Sequence, residues 1–442
     1  MKKMTAMMLT AAMIGSLTAC GGGTEKEAAK SSAADASSGT ESEARQTAEA
    51  PAGEKVNIRI LTYETSSNAV EEAVAPFMEA NPGITVEVVA ATDFTAMNTN
   101  AIAAHQANDD YDVMFVNHVD TLSYIQGGVI RSIQEYIDRD GVDYGEILFA
   151  SLLEQGQSGG ETYALPANTG TRVLAVNRDL FDKYQVEVPA TQEEMLKAAE
   201  ALTVDDNFGY VSPLCENCYS PTYEQGMYLA SNGGRLYEIG EDGKATATIN
   251  TPEMKQFLTF MTDLLPYMPK DSLTMTGDDA RKAFASGNIA MYKYGNWELE
   301  QMPETDFNCE LYLVPEGSAG RISTSGGFQL AMGGGTEHPE EAWQLIKYLT
   351  TTQEAMSKMA GTDLPVMEAC YDTEPYNDAK YDIFNEQLEN AVLTGIPVPN
   401  MNEVSEKFFS YWCDLLYGKI TADEMCEEAQ ASVQELLDKN NK

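Results

Sequence analysis

Apolar and polar residues alternate over Val56-Asn57-Ile58-Arg59-Ile60-Leu61, the period of a strand with one buried face. Residues 67–80 switch to a helical period, with Val70, Val74, Phe77 and Met78 on one side. Asn81-Pro82-Gly83 stops that helix, and Ile84-Thr85-Val86-Glu87-Val88-Val89 alternates again. Strand, helix, strand in this order predicts a βαβ unit and a parallel sheet, hence an α/β fold. A second amphipathic helix is predicted over 95–108, then a buried strand at Tyr111-Asp112-Val113-Met114-Phe115-Val116. Such sheets bind ligands beyond the carboxyl ends of their strands, which here are Thr62-Tyr63-Glu64-Thr65 and Asn117-His118. Glu64, Asp93, Asn117 and His118 are therefore candidates for hydrogen bonding to a ligand, although each alone would be at home in a solvated loop.

The first twenty residues follow another pattern. Met1-Lys2-Lys3 is basic, 4–16 carries no charge, and Leu17-Thr18-Ala19 ends on a small residue, the layout of a secretory signal. Leu17-Thr18-Ala19-Cys20 resembles the lipobox of bacterial lipoproteins. That resemblance implies removal of 1–19 and lipidation of Cys20, and two acyl chains anchor a protein stably. Residues 21–53 contain no Val, Ile, Leu, Met, Phe, Trp, Tyr or Cys, so 20–53 reads as a lipidated cysteine followed by a flexible tether. No later stretch approaches the roughly eighteen apolar residues that a membrane span needs. The body, from about 54 onward, is expected outside the cytoplasm, held to the cell membrane through its lipid.

Charge and composition narrow the function. The 442 residues include 69 Asp and Glu against 28 Lys and Arg, a net charge of -41 that excludes nucleic acid as a partner. Hydrophobic residues make up 43%, enough for a core, and at about 100–200 residues per domain two or three domains are expected. Three histidines, His105, His118 and His338, leave little for metal or triad chemistry, and no HExxH, EF-hand or Walker A stretch occurs, so no metal or cofactor is expected. Gly156-Gln157-Ser158-Gly159-Gly160 matches G-x-S-x-G, but the residues after it read as a strand rather than the helix a nucleophile elbow needs. A hairpin turn is the expectation there, and binding rather than catalysis is the expectation for the whole.

Six cysteines follow Cys20: Cys215, Cys218, Cys309, Cys370, Cys413 and Cys426. Outside the cytoplasm, Cys215 and Cys218 suggest a disulfide that pins 219–223, since one Cys-x-x-Cys without a second pair is weak support for zinc. Cys413 and Cys426 could also pair; connectivity does not follow from spacing.

NPGITVEVV, YDVMFVNHVDTLSYIQGGVIRSIQEYI, YALPANTGTRVLAVNRDLFDKY, FASGNIAMYKYGNW and STSGGFQLAMGGGTEHPEEAWQLIKYLTTTQEA follow one another along the chain. In this order they resemble the extracellular solute-binding proteins of ABC importers, in the sugar-binding group that includes maltose-binding protein. Departures are Val176-Asn177-Arg178 where Tyr-Asn-Lys is usual and Gln192-Glu193-Glu194-Met195 where Trp-Asp-Glu-Phe is common. The resemblance implies two α/β lobes joined by hinge crossings, a ligand clamped between them, an ABC permease as partner, and a monomer. Crossings are expected near Leu165-Pro166-Ala167 and Leu313-Val314-Pro315, giving lobes of 54–166 plus 316–352 and of 167–315 plus 353–442.

The same resemblance makes Trp297 a stacking platform for a sugar, the alternative being a core position. Tyr223 would be a second stacking ring or an ordinary helix-start residue, and Tyr63, at its strand end, with Gly327 and Phe328, in the Gly-Gly strand, are further ligand-binding candidates. Arg172 interrupts an apolar strand; it either pairs with a nearby carboxylate or faces the cleft to bind an acidic ligand. Trp343 and Trp412 sit on apolar helix faces and are expected in the cores. After Pro399 the chain offers Asn400, Met401 and Asn402 where some relatives place another aromatic shelf, which argues against maltodextrins. A carbohydrate is the favoured ligand, with an acidic sugar, polyamine or peptide on the same fold, or a glycosidase, as alternatives.

Overall fold

The computed structural model describes residues 55–240, 243–393, 398 and 400–439. The signal, Cys20 and the tether lie outside the described residues.

The first sheet is built around Val56–Tyr63, which pairs in parallel with Ile84–Ala91 on one side and with Val113–Asn117 on the other. Phe328–Gly333 continues it antiparallel to Val113–Asn117 and also pairs with Ile130–Arg131 and Ala164–Pro166. The helix between the first two strands runs Glu64–Ala80 and begins directly at the strand end, three residues earlier than its apolar period suggests. It buries Val70, Ala73, Val74 and Phe77 against the sheet. The second helix is Phe94–Gln106 rather than 95–108 because the Asp93 carboxylate caps it, accepting from the Ala96 N–H.

The second sheet runs Cys309–Tyr312, Arg172–Asn177, Ile289–Gly295, Phe208–Val211, with only the last pair parallel. Both its faces are covered. Phe257, Met261, Phe408 and Trp412 belong to the core on one side, and Phe284, Tyr292 and Phe384 to the core on the other.

Two lobe boundaries differ from those read off the sequence. Val314 is buried in the second core, the Glu316 N–H donates to the Ala190 carbonyl at 2.8 Å, and Ser231 Oγ donates to the Ile322 carbonyl at 2.7 Å. The chain therefore stays with the second lobe past the expected crossing at Leu313-Val314-Pro315 and returns to the first only at Gly326-Gly327. Likewise Met356, Met359, Val366, Met367 and Cys370 complete the first core while Ala360, Leu364, Tyr376 and Phe384 pack in the second, so after 353 the chain runs along the boundary, with a third passage around 360–364, rather than entering the second lobe at 353.

The crossings lie side by side. Gly170 and Gly326 pair, as do Thr169 and Leu364. Glycine is required here by proximity: a Cβ on Gly326 would sit 2.7 Å from the Tyr223 ring and 2.8 Å from the His118 ring, and one on Gly327 would sit 2.3 Å from the Asn168 carbonyl oxygen.

The G-x-S-x-G segment is the expected hairpin: Gln157–Ser158 pairs antiparallel with Glu161–Thr162, and Gly159 and Gly160 turn the chain with φ of 60° and 83°. Among the described residues no helix is long and apolar enough to cross a membrane. Trp343 and Trp412 are fully buried. The Trp343 indole N–H donates to Asp140 at 2.9 Å, and its ring stacks on Tyr136 at 5.8 Å. Trp343→Ala should therefore cost about 3–5 kcal/mol of folding stability while leaving the cleft lining untouched. Calorimetric unfolding checks this; a loss under about 1 kcal/mol, the scale of an ordinary surface change, would contradict it.

Candidate functional site

Between the lobes lies a cavity of about 350 Å³, near the lower end of the roughly 300–1,000 Å³ of small-molecule sites. The first lobe contributes Tyr63, Phe94, Asn117, His118 and Phe328; the second contributes Tyr219, Tyr223, Glu224 and Trp297; the crossings contribute Gly170, Gly326, Gly327, Thr362 and Asp363. Tyr63 and Phe328 lie 4.8 Å apart, centroid to centroid, and the half-exposed Phe94 ring packs on both at 4.8 and 5.3 Å. One wall is thus an aromatic cluster held by strand ends.

The opposite wall rests on buried charge. Arg172, fully buried, places its guanidinium carbon 4.1 Å from the Tyr223 ring centroid and 4.9 Å from that of Trp297. Arg172 Nη2 donates to Glu224 Oε1 at 3.0 Å and Nη1 to Thr324 Oγ1 at 3.2 Å. Buried Lys293 closes on the other oxygen of Glu224. Burial alone would raise the Glu224 carboxyl, but the Arg172 and Lys293 charges outweigh it and hold it down at about 2. Trp297 follows Gly295 into a short turn, and its ring lies over that glycine so closely that a Cβ there would come within 2.3 Å. Both rings are therefore fixed from behind, by a cation and by a bare backbone.

Two titratable groups of the cavity are shifted by burial. His118 is driven down to about 4 by desolvation, against a bond to the Gly327 carbonyl and with the Arg172 charge adding to the fall, so its imidazole is neutral at neutral pH. Asp363 is pushed up to about 7 by desolvation, against the lowering effects of Asn296 and Arg172; Asn168 Nδ2 donates to it at 2.9 Å.

Of the residues singled out in the sequence, Tyr63, Asn117, His118, Tyr223, Trp297, Gly327 and Phe328 meet around this cavity. Glu64, Asp93 and Arg172 do not line it. Glu64 is exposed at the first turn of its helix, and Asp93 is used as a helix cap. Arg172 takes the carboxylate-pairing role and lies under the aromatic floor, so the feature that favoured an acidic ligand is absent from the lining. No disulfide joins Cys215 to Cys218 in the structure, where both, like Cys413, carry free thiols; Cys215 meets Cys413, while Cys218 faces Glu406. Sequence reasoning missed Phe94, Tyr219, Glu224 and Asp363. Glu224 had a signal in its place directly after Tyr223; Asp363 had none, because the third passage between the lobes carries no motif.

Asp363 gives a pH signature. Its carboxyl is raised in the folded state above the ordinary 3.8, so between about pH 4 and pH 7 the unfolded chain ionises it freely while the fold resists, and rising pH weakens the fold. Asp363→Asn should remove that contribution, and its melting temperature relative to wild type should climb by several degrees from pH 4 to pH 7, then level off. Melting curves that stay parallel over this range would contradict the assignment.

Comparison with known proteins agrees with this arrangement. The sequence pattern described as bacterial extracellular solute-binding protein matches residues 62–356. A Deinococcus radiodurans protein named as a probable ABC transporter-binding protein is 27% identical over 284 residues, 59% of this chain and 66%, just under two thirds, of that relative. The solved ABC substrate-binding protein of Listeria monocytogenes in complex with cycloalternan superposes with a TM-score of 0.76 at 23% identity, over 87% of this chain and 99% of that one. The maltose-bound MalE3 of T. maritima gives 0.74 at 22% identity, over 86% and 100%. With two α/β lobes around a cleft and the family pattern spanning most of the body, the chain belongs to the bacterial extracellular solute-binding proteins.

Proposed function

We propose that this protein captures an uncharged carbohydrate of one or two rings in its cleft and delivers it to the permease of an ABC transporter. The observation that carries this reading is the pair of aromatic faces, Trp297 and Tyr223, backed by a buried cation and set beside polar groups. A sugar ring stacks its C–H face on such rings and offers hydroxyls around its rim. Asn117, neutral His118, Glu224 and Asp363 supply acceptors and donors for those hydroxyls, and the Tyr63 and Phe328 wall closes on the other face. An acidic sugar is disfavoured because Arg172 is committed to Glu224. The sugars in the Listeria and T. maritima complexes, cycloalternan and maltose, support the ligand class. The protein acts as a monomer, its cleft complete within one chain, and a lipid on Cys20 keeps it at the membrane.

A melting screen of mono- and oligosaccharides, uronic acids, polyamines and peptides tests the ligand class, since binding at a hundredfold excess over Kd stabilises by about 2.7 kcal/mol. Neutral sugars should shift the melt; a shift from polyamines, peptides or uronic acids alone would overturn the reading. With the sugar in hand, Trp297→Ala should weaken binding at least about tenfold in calorimetric titration while the unliganded melting temperature moves little. Unchanged affinity would remove Trp297 from the site. Cys20→Ser should release the protein from membranes into the medium, and a variant that stays with salt-washed membranes would refute the lipid anchor.

A further inference from the structure

The second lobe brings two thiols together that lie far apart in sequence. Cys215 is in the loop that follows Phe208–Val211 and leads to Tyr219 and Tyr223; Cys413 is on the helix Met401–Leu416. Their thiols face each other. The residues just before them are locked as well: the Trp412 indole N–H donates to the Leu214 carbonyl at 2.7 Å, across 198 residues of chain. Trp412 is itself fixed, fully buried and stacked on Phe257 at 5.6 Å with the rings 8° from parallel. A second tie joins the same loop and helix, Tyr219 Oη donating to Asn402 Oδ1. Loop and helix are thus held with Cys215 and Cys413 on facing sides, whereas Cys218 points to Glu406.

We infer that Cys215 and Cys413 are joined by a disulfide in the mature protein, a covalent clamp between the loop bearing the cleft aromatics and the helix behind it. Proteins of this family are extracellular, where disulfides form and persist. The oxidant is a protein disulfide of the thiol–disulfide exchange class. One cysteine thiolate attacks that disulfide to give a mixed disulfide, the other attacks the first cysteine's sulfur, and the new S–S bond forms as the oxidant leaves as a dithiol carrying two electrons and two protons. Burial raises both thiols of the folded chain, which keeps them from reacting once the loop has docked.

The decisive experiment is peptide mapping, under non-reducing conditions and after alkylation of free thiols, of wild-type protein exported by a bacterium. The expected product is a cross-linked peptide pair containing Cys215 and Cys413, with Cys218 alkylated. Reductant should lower the melting temperature of wild type and of Cys218→Ser by several degrees, and leave Cys215→Ser and Cys413→Ser unmoved. Both thiols found alkylated, or a cross-link joining Cys215 to Cys218 or to any other cysteine, would overturn the inference. Because the wild-type map decides, failure of a serine variant to fold does not rescue it.

Discussion

The carboxylate of Glu224, held between Arg172 and Lys293 beneath the cleft, is the interaction on which the site depends. Its three members come from different places: Arg172 from the strand that leaves the first crossing, Glu224 from the turn Ser220–Glu224, and Lys293 from the neighbouring strand Ile289–Gly295. Charges taken out of water this far are stable only when paired, and removing one partner of a buried pair costs about 3–5 kcal/mol because the other is left uncompensated. The network therefore fixes where the turn docks on the sheet, and with it the position of the Tyr223 ring. The guanidinium also faces both aromatic rings, an arrangement that contributes about 0.5–2 kcal/mol per desolvated contact.

From that floor the geometry extends to the crossings. Arg172 and Thr171 bond to Ser323 and Thr324, so the outgoing and returning chains are tied together just before Gly170 and Gly326 pair. The lobes also touch across the cleft. Val119, from the first lobe, packs in the core of the second, and Asp120 meets Asn402. Burial, against hydrogen bonds from Asn402 and Asn98, lifts the Asp120 carboxyl to about 6. Hinge closure around a ligand is the established motion of such folds, and here opening has to break these few contacts while the ion network stays within the second lobe.

Much of this was legible in the sequence, and the failures share a cause. Period-two and period-3.6 patterns identified the opening βαβ unit, and the rule that α/β sheets bind beyond their strand ends placed Tyr63, Asn117 and His118 at the cleft. Glu64 and Asp93 satisfied the same rule but went to helix starts: a carboxylate at a strand-to-helix junction is as well suited to the free N–H groups of the first turn as to a ligand. Arg172 looked like a cleft residue because an arginine in an apolar strand is anomalous. Its partner, 52 residues away, was one carboxylate among 69. Asp363 and the pairing of Cys215 with Cys413 depend on where distant segments dock, which no local pattern encodes.

A crystal structure with the stabilising sugar bound tests the central claim most directly. A sugar ring should lie against Trp297 and Tyr223, with Arg172 still paired to Glu224 beneath them. A ligand bonded directly to the Arg172 guanidinium with Glu224 displaced, or seated away from both rings, would contradict it.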